Sequence, residues 1–130
     1  MDYSLEVQER FRSPAGAGEF AEGTPQVVAG EAEDRTLNVW FRFQISVAGT
    51  VIRAARFRVF GCPHSIAAAA WVASELEGCE IAAIRELDVH ELRLKLEAPV
   101  EKLGKLLVLE DALRKCRDAL ADRAETRNGS

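Results

Sequence analysis

The chain of 130 residues has the length of one domain, and we expect a single domain over 1–130. Hydrophobic residues make up 48% and charged residues 29%, as in ordinary globular proteins, and the net charge of −4 gives no reason to expect nucleic acid. No apolar run approaches the roughly 20 residues that span a bilayer, no signal-peptide pattern opens the chain, and three scattered cysteines do not suggest disulfides. The sequence therefore predicts a cytoplasmic protein that binds neither nucleic acid nor membrane.

The first part of the chain predicts a helix followed by a linker. Tyr3, Val7 and Phe11 recur at helical spacing. Residues 1–13 are therefore predicted to form an amphipathic helix that ends before a proline. The small residues that dominate 14–24 predict a flexible linker.

Two alternating stretches predict an antiparallel hairpin. Apolar and polar residues alternate over 37–47, which is typical of a strand with one buried face, and 51–60 continues in the same style after a tight turn. A short strand is also expected over 26–29. The acidic stretch 30–34 that follows it is expected to be a loop. The sequence thus predicts about three strands.

From Pro63 onward the hydrophobic period becomes helical, and Gly78 is expected to end an alanine-rich helix. Asp88 and Glu91 have the spacing of a capping box at the start of another helix. The apolar stripe of the last helix comprises Leu106, Leu109, Leu113, Cys116 and Leu120. The polar residues 125–130 are expected to form a frayed tail. This order of elements predicts an α+β fold, in which helices pack on a small antiparallel β-sheet.

Cys62 is the leading candidate for chemistry. Because Pro63 is favoured at the first helical position, Cys62 is expected at the N-cap, where free N–H groups and the helix dipole stabilise a thiolate. The alternative is a small buried side chain without chemistry. His64 is either an exposed polar residue of the same turn or a companion of the thiolate, as a ligand or proton donor. Cys79 and Cys116 are interpreted as structural, and the Cys-Pro-His spacing is not a zinc signature.

Five segments of the chain share their order and spacing with a known family. They are Tyr3-Ser4, Ala55-Arg56-Phe57, Phe60-Gly61-Cys62, Ala98–Leu103 and Leu109–Leu113. Together they resemble the U-type iron–sulfur cluster assembly scaffold family, which includes the IscU-like proteins and the NifU N-terminal domain. The resemblance implies an IscU/NifU-N-like fold and a part in cluster assembly. It also implies cysteine desulfurase and other assembly proteins as partners, with no enzymatic turnover of the chain's own, and it leaves a homodimer open.

The resemblance carries over only part of the family's ligand set. Family members hold a cluster with three cysteines, assisted by an aspartate and a histidine, and Cys62 matches the middle cysteine alone. The first cysteine falls in the acidic stretch that ends at Asp34, and the last falls at Gly104-Lys105. A [2Fe–2S] cluster normally takes four protein ligands, so one chain supplies too few. Two chains that each contribute Cys62 and His64 would reach that number.

The sequence therefore favours a divergent scaffold-like protein in which Cys62 binds iron or sulfur or accepts sulfur. The candidate metal ligands are Cys62, His64 and Asp34, for an iron–sulfur cluster or iron, with zinc as the alternative. By the resemblance Lys105 lies near Cys62 and stabilises its thiolate, which favours the acceptance of persulfide sulfur from a desulfurase. Two alternatives stay open: a protein that docks assembly partners without holding a cluster, and a zinc-binding or thiol-active sulfur-transfer protein.

Overall fold

The computed structural model describes residues 4, 5, 7, 8 and 16–128, with side chains described as far as residue 122. Within these residues the strands are β1 (Val27–Asp34), β2 (Val39–Ala48) and β3 (Val51–Phe60). The α-helices are α1 (Pro63–Leu76), α2 (Val89–Lys95) and α3 (Leu103–Asn128), and two 3-10 helices occupy Ile81–Ile84 and Val100–Lys102. The strands form one antiparallel sheet in the order β1-β2-β3. The predicted α+β fold is confirmed.

The hairpin of β2 and β3 follows the alternating pattern of the sequence. The inward-facing residues of β2 are all buried, and they are Val39, Phe41, Phe43, Ile45 and Val47. β2 and β3 pair up to Ala48 and Val51 across the tight turn, with a register shift between Ser46 and Val47. One face of the sheet is thus apolar and must be covered.

The acidic stretch 30–34 belongs to β1, so the prediction of a loop there is wrong. Gly30 and Ala32 are buried, whereas Glu31 and Glu33, which each follow one of them, are exposed. This is the alternation of a half-buried strand. The pattern is hard to read from the sequence because the inward positions carry glycine and alanine in place of large apolar residues.

Helices α1 and α3 cover the apolar face of the sheet. α1 packs on β3, while α3 packs on β1 and β2. The close approach of α1 depends on a run of four fully buried alanines over 67–70. The close approach of α3 depends on Gly30, where a Cβ atom would lie 2.6 Å from the backbone nitrogen of Cys116. Of the helices in the described part, none is both long and apolar enough to cross a membrane.

Most of the predicted N-terminal helix over 1–13 lies outside the described residues. Ser4 is described, and its hydroxyl accepts a hydrogen bond from the Val7 backbone N–H at 3.2 Å, as a helix cap does. The same hydroxyl donates to the carbonyl of Leu96 at 2.7 Å. Val7 is fully buried. These contacts attach the start of the chain to the segment that follows α2.

Residues 16–20 run beside β3. The Gly18 N–H donates to the Phe57 carbonyl at 2.9 Å, and the Phe57 N–H donates to the Gly16 carbonyl at 2.9 Å. These bonds form a short parallel bridge at the edge of the sheet. The flexible linker over 14–24 and the frayed tail over 125–130 stay predictions, and α3 is described as far as Asn128.

Candidate functional site

The candidate site is the turn from β3 into α1. Cys62 occupies the N-cap of α1 with extended backbone angles, and Pro63 takes the first helical position, as the sequence predicts. The turn is tight because the preceding residue has no side chain. A Cβ atom at Gly61 would lie 3.1 Å from the Ser65 side chain and 3.2 Å from Val39. Cys62 is half-buried, so its sulfur borders both the core and the solvent.

Ser65 is the nearest polar partner of the Cys62 thiol. The Cys62 Sγ and Ser65 Oγ atoms are 3.6 Å apart, within hydrogen-bonding reach for sulfur. The Ser65 backbone N–H also donates to the Cys62 carbonyl at 2.9 Å, in the first turn of α1. Only 1% of Ser65 is exposed. The hydroxyl is therefore held in place by the packing around it.

The 3-10 helix before α3 and the first turn of α3 bring positive charge to the thiol, through Lys102 and Lys105. Burial acts to raise the pKa of Cys62, but hydrogen bonds from Ser65 and the charges of Lys105 and Lys102 outweigh it, so the pKa is lowered. A thiol with a lowered pKa is more fully ionised near neutral pH, and the thiolate is the nucleophile and metal ligand. The structure thus places Lys105 where its charge acts on Cys62.

His64 lies in the first turn of α1, two positions after Cys62. Only 6% of it is exposed, so the expectation of an exposed side chain at this position is wrong. Burial, followed by the charges of Lys102 and Lys105, lowers the pKa of His64. The imidazole is therefore predominantly neutral at neutral pH.

Asp34 lies at the end of β1 and takes part in the turn that leads to β2. Its carboxylate accepts a hydrogen bond from the Leu37 backbone N–H at 3.0 Å. Asp34 pairs with Val39, and Val39 lies beside Gly61. Two strand spacings, roughly 10 Å, therefore separate the Asp34 backbone from the cysteine turn.

The other acidic residues of β1 also have contacts of their own. The Glu31 carboxylate accepts a hydrogen bond from the Trp40 indole at 3.1 Å. Glu33 lies within 3.8 Å of the Arg35 guanidinium. Among the described residues, no group of three His, Cys, Asp or Glu side chains could hold a metal ion.

Hydrocarbon surrounds the cysteine turn on the side of β2 and α3. Val39 contacts Gly61, and a Cβ atom at Gly104 would lie 3.2 Å from the Leu37 side chain. Phe60 is 62% exposed two residues before Cys62. The soft ligand at this end of the described structure is thus the single Cys62 thiolate, with leucine, valine and lysine side chains about it.

The other two cysteines lie in different surroundings. Cys116 is fully buried, its thiol lies 3.5 Å from the Phe43 carbonyl, and burial raises its pKa to about 12. Cys79 donates to the Glu75 carbonyl at 3.1 Å beyond the C-terminus of α1. Neither cysteine is close in sequence to the turn, and the raised pKa makes the Cys116 thiol inert.

Sequence reasoning missed three residues of the site. Ser65 stands three positions after Cys62, at the spacing of an N-cap and its N3 partner, and that spacing is a usable signal. Lys102 stands three positions before Lys105, so both can reach the same neighbour. Leu37 gave no signal, because only the fold brings the β1–β2 turn beside α3.

A three-stranded antiparallel sheet, with helices on one face and a cysteine at the strand-to-helix turn, is the arrangement that the resemblance to the U-type scaffolds implies. Residues 2–125 match the family model described as NifU-like N terminal domain, so the chain belongs to that family.

Relatives and solved structures agree with this assignment. The iron–sulfur cluster assembly scaffold protein IscU of Escherichia coli is 29% identical over 118 residues, covering 88% of this chain and 90% of that protein. The protein of the same name from Rickettsia prowazekii is 27% identical over 128 residues, covering 98% and 95%. A NifU-like protein (N-terminal part) from Brucella abortus shares the fold with a TM-score of 0.58 at 15% identity, covering 92% of this chain and 89% of that one.

Proposed function

We propose that this protein takes part in iron–sulfur cluster assembly as a U-type protein that accepts sulfur at Cys62. The observation that carries the proposal is the environment of one thiol: an N-cap cysteine with Ser65 at 3.6 Å and the charges of Lys105 and Lys102 lowering its pKa. Membership of the family supplies the context of cluster assembly.

A complete cluster does not fit the residues of the described chain. A [2Fe–2S] cluster normally takes four protein ligands, and the described residues offer no group of three that could hold even a metal ion. Val39 lies against Gly61 of the turn, Leu37 lies against Gly104 beside Lys105, and a protonated lysine has no lone pair for a metal. The same finding lends no support to an iron or zinc site built from Cys62, His64 and Asp34.

The proposed step is a transfer of sulfane sulfur from an enzyme-bound cysteine persulfide. The Cys62 thiolate attacks the outer sulfur of the donor persulfide and forms a new sulfur–sulfur bond. The donor's own sulfur–sulfur bond breaks, and its cysteine leaves as a thiolate that takes up a proton. No external oxidant is consumed, because one persulfide replaces another.

The residues around Cys62 suit this step. Lys105 and Lys102 favour the thiolate before the attack. A persulfide is itself an anion at neutral pH, so the same charges stabilise the product. The apolar side chain of Val39 lies against Gly61, on one side of the turn. We propose a cysteine desulfurase as the donor, and the chain acts as a carrier without turnover of its own.

Mass spectrometry tests the proposal directly. The full chain is incubated with a cysteine desulfurase and cysteine, and we expect the mass of one added sulfur atom on the peptide that contains Cys62. The Cys62→Ser variant should gain no sulfur, and the Cys79→Ser variant should gain as much as the wild type. An unmodified Cys62 that also resists alkylation would refute sulfur transfer and favour a protein that only docks assembly partners.

A further inference from the structure

A cleft separates α1 from α2 at the far end of α1 from Cys62. α1 packs on β3, whereas α2 packs on α3, and the space left between the two helices has a volume of about 210 Å³. The cleft begins at Trp71, nine positions along the helix from the N-cap. At 1.5 Å per residue, its near end lies roughly 14 Å along the helix from the N-cap. The cleft is therefore a separate feature of the surface.

The rim of the cleft is acidic. Glu75 comes from α1, Glu86 and Asp88 from the loop before α2, and Glu91 from α2 itself. Lys95 is the cation among the lining residues, and its ammonium is bound to Glu91 at 3.1 Å. Glu75 and Glu86 form no ion pair within the described residues. The cleft therefore presents uncompensated negative charge.

The floor of the cleft is apolar. Its lining includes Trp71, Val72, Leu76, Leu87 and Leu92. Trp71 is half-buried, and the Lys95 ammonium lies 5.9 Å from the centre of its ring. Tryptophan is among the residue types that dominate binding energy at protein interfaces.

The size of the cleft favours a side chain over a cofactor. Pockets for small molecules and cofactors usually have about 300–1,000 Å³, whereas this one has about 210 Å³. That volume suits one large anchoring side chain. A second copy of the chain is disfavoured as the source of that anchor, because each copy carries a net charge of −4.

We propose that this cleft docks a segment of a partner protein in which one large apolar side chain is flanked by lysine or arginine. The apolar side chain enters beside Trp71, and the cations face Glu75 and Glu86. Charge complementarity of this kind gives fast association and an affinity that falls with salt. The partner at this cleft and a sulfur donor at Cys62 contact different ends of α1.

The test uses the full chain and short synthetic peptides. Each peptide carries one central leucine or phenylalanine flanked by lysine and arginine, and matched peptides carry glutamine or glutamate at the flanking positions. The Trp40→Phe variant leaves Trp71 as the sole tryptophan, so its emission reports on the cleft. We expect the basic peptides to change this emission at low salt, and the glutamine and glutamate peptides to leave it unchanged.

Charge reversal then locates the site. The double substitution Glu75→Lys/Glu86→Lys should weaken the binding of the basic peptides by at least about tenfold. The matched control Glu22→Lys/Glu33→Lys makes the same change of charge at exposed carboxylates outside the cleft and should leave binding nearly intact. Equal losses in both variants, or equal binding of the glutamine peptides, would overturn the proposal.

Thiol protection gives an independent readout. In a Cys62→Ser background the buried Cys116 does not react, so alkylation reports on Cys79, which lines the cleft. A bound basic peptide should slow that alkylation, and an unchanged rate would count against the proposal. A concentration-dependent dimer that Glu75→Lys/Glu86→Lys abolishes would assign the cleft to a second copy instead. The same double variant should still take up persulfide at Cys62, so failure here is distinguishable from failure of the proposed function.

Discussion

At Cys62, burial and charge act in opposite directions on the thiol. Partial burial favours the neutral thiol, whereas the Ser65 hydrogen bonds and two lysines favour the thiolate. The hydrogen bonds and charges together outweigh burial, so the pKa of Cys62 is lowered. The balance depends on side chains from three separate elements, namely α1, the 3-10 helix Val100–Lys102 and α3. Substitution of one distant partner should therefore change the reactivity of Cys62 without altering its own position.

Lys105→Glu should make Cys62 less reactive. The substitution removes a positive charge and adds a negative one, so the pKa of Cys62 rises and less thiolate is present near neutral pH. We expect alkylation in a Cys79→Ser background to slow by roughly threefold, with the effect reduced at high salt. The pH dependence of the iodoacetamide rate measures this.

Lys115→Glu is the matched control for that substitution. Lys115 is exposed and donates to the Glu31 carbonyl at 3.0 Å, and its charge does not contribute to the lowered pKa of Cys62. Its substitution should leave the pH dependence of the Cys62 alkylation rate unchanged. An equal shift of this pH dependence in both variants would contradict a specific action of Lys105.

Cys116 should make the fold less stable at alkaline pH. Its pKa is raised from the ordinary value of 9.0 to about 12 in the folded chain. Above pH 9 the unfolded chain loses this proton while the folded chain keeps it, so the free energy of unfolding falls as pH rises through this range. Between about pH 8 and about pH 10 the free energy of unfolding should fall by about 1 kcal/mol more in the wild type than in Cys116→Ala. Urea unfolding at the two pH values measures this. Parallel losses in the two proteins would contradict this.

The sequence identifies part of the candidate site and misses the rest. Cys62 is recognisable because a glycine precedes it and a proline follows it, which are local features of the chain. Lys105 is found only through the family resemblance. Leu37 could not be found, because its contact with Gly104 depends on how the β1–β2 turn meets α3. Contacts between distant segments leave no periodic signal in either segment.

Helix α3 packs so closely on β1 that the contact leaves no room for a side chain at Gly30. A Cβ atom at Gly30 would lie 2.6 Å from the Cys116 nitrogen and 3.0 Å from the Lys115 Cβ. The first of these neighbours is backbone of α3. A side chain at this position can therefore be accommodated only if the helix moves away from the sheet.

Gly30→Ala should destabilise the fold strongly. Displacing α3 weakens its packing on β1 and β2, and we expect the free energy of unfolding to fall by about 3 kcal/mol or more. Gly49→Ala is the control, because its surroundings are empty and its φ of +63° costs about 1 kcal/mol. Urea unfolding compares the two variants. A loss at Gly30 no larger than that at Gly49 would show that α3 tolerates the side chain.

The elements themselves were largely predictable, and β1 is the instructive exception. The hairpin and α1 carry strong periods of two and 3.6 residues, so their types were correct. β1 has the same period of two, but its inward positions are small and its outward positions acidic. Glycine and glutamate are both uncommon in strands. The composition of 30–34 therefore predicts a loop, but the packing of this segment under α3 makes it part of a strand.

At the scale of the whole molecule, three distant segments meet at one end. They are the β1–β2 turn with Leu37, the β3–α1 turn with Cys62, and the start of α3 with Lys105. Each segment offers one side chain at the meeting point. The chemistry of this end of the molecule thus depends on which residues stand at three positions far apart in sequence.

Cysteines at the other two positions should create a cluster site. After anaerobic incubation with iron and sulfide and removal of excess reagents, we expect the wild type to retain little iron and little visible absorption. Leu37→Cys/Lys105→Cys raises the number of thiolates at this end from one to three, and a small thiol added to the incubation can complete the four ligands that a [2Fe–2S] cluster normally takes. This variant should retain both signals, and a further Cys62→Ala substitution should abolish them.

The control for that experiment places the new thiols elsewhere. Leu94→Cys/Lys115→Cys introduces two exposed cysteines on α2 and on the middle of α3. It should retain no more iron than the wild type. A wild type that retains as much iron as Leu37→Cys/Lys105→Cys would contradict the view that a single thiolate is too few.

The short segment beside β3 bears on how the protein behaves at high concentration. Its two backbone hydrogen bonds with Phe57 occupy polar groups that would otherwise lie at a strand edge. Unpaired strand edges invite pairing with other chains and lead to aggregation. Residues 16–18 therefore cover part of this strand edge and occupy backbone groups that another chain could otherwise pair with. Removal of residues 1–18 would leave the Phe57 backbone groups at this edge without these partners, so we expect the shortened chain to self-associate more readily than the full chain.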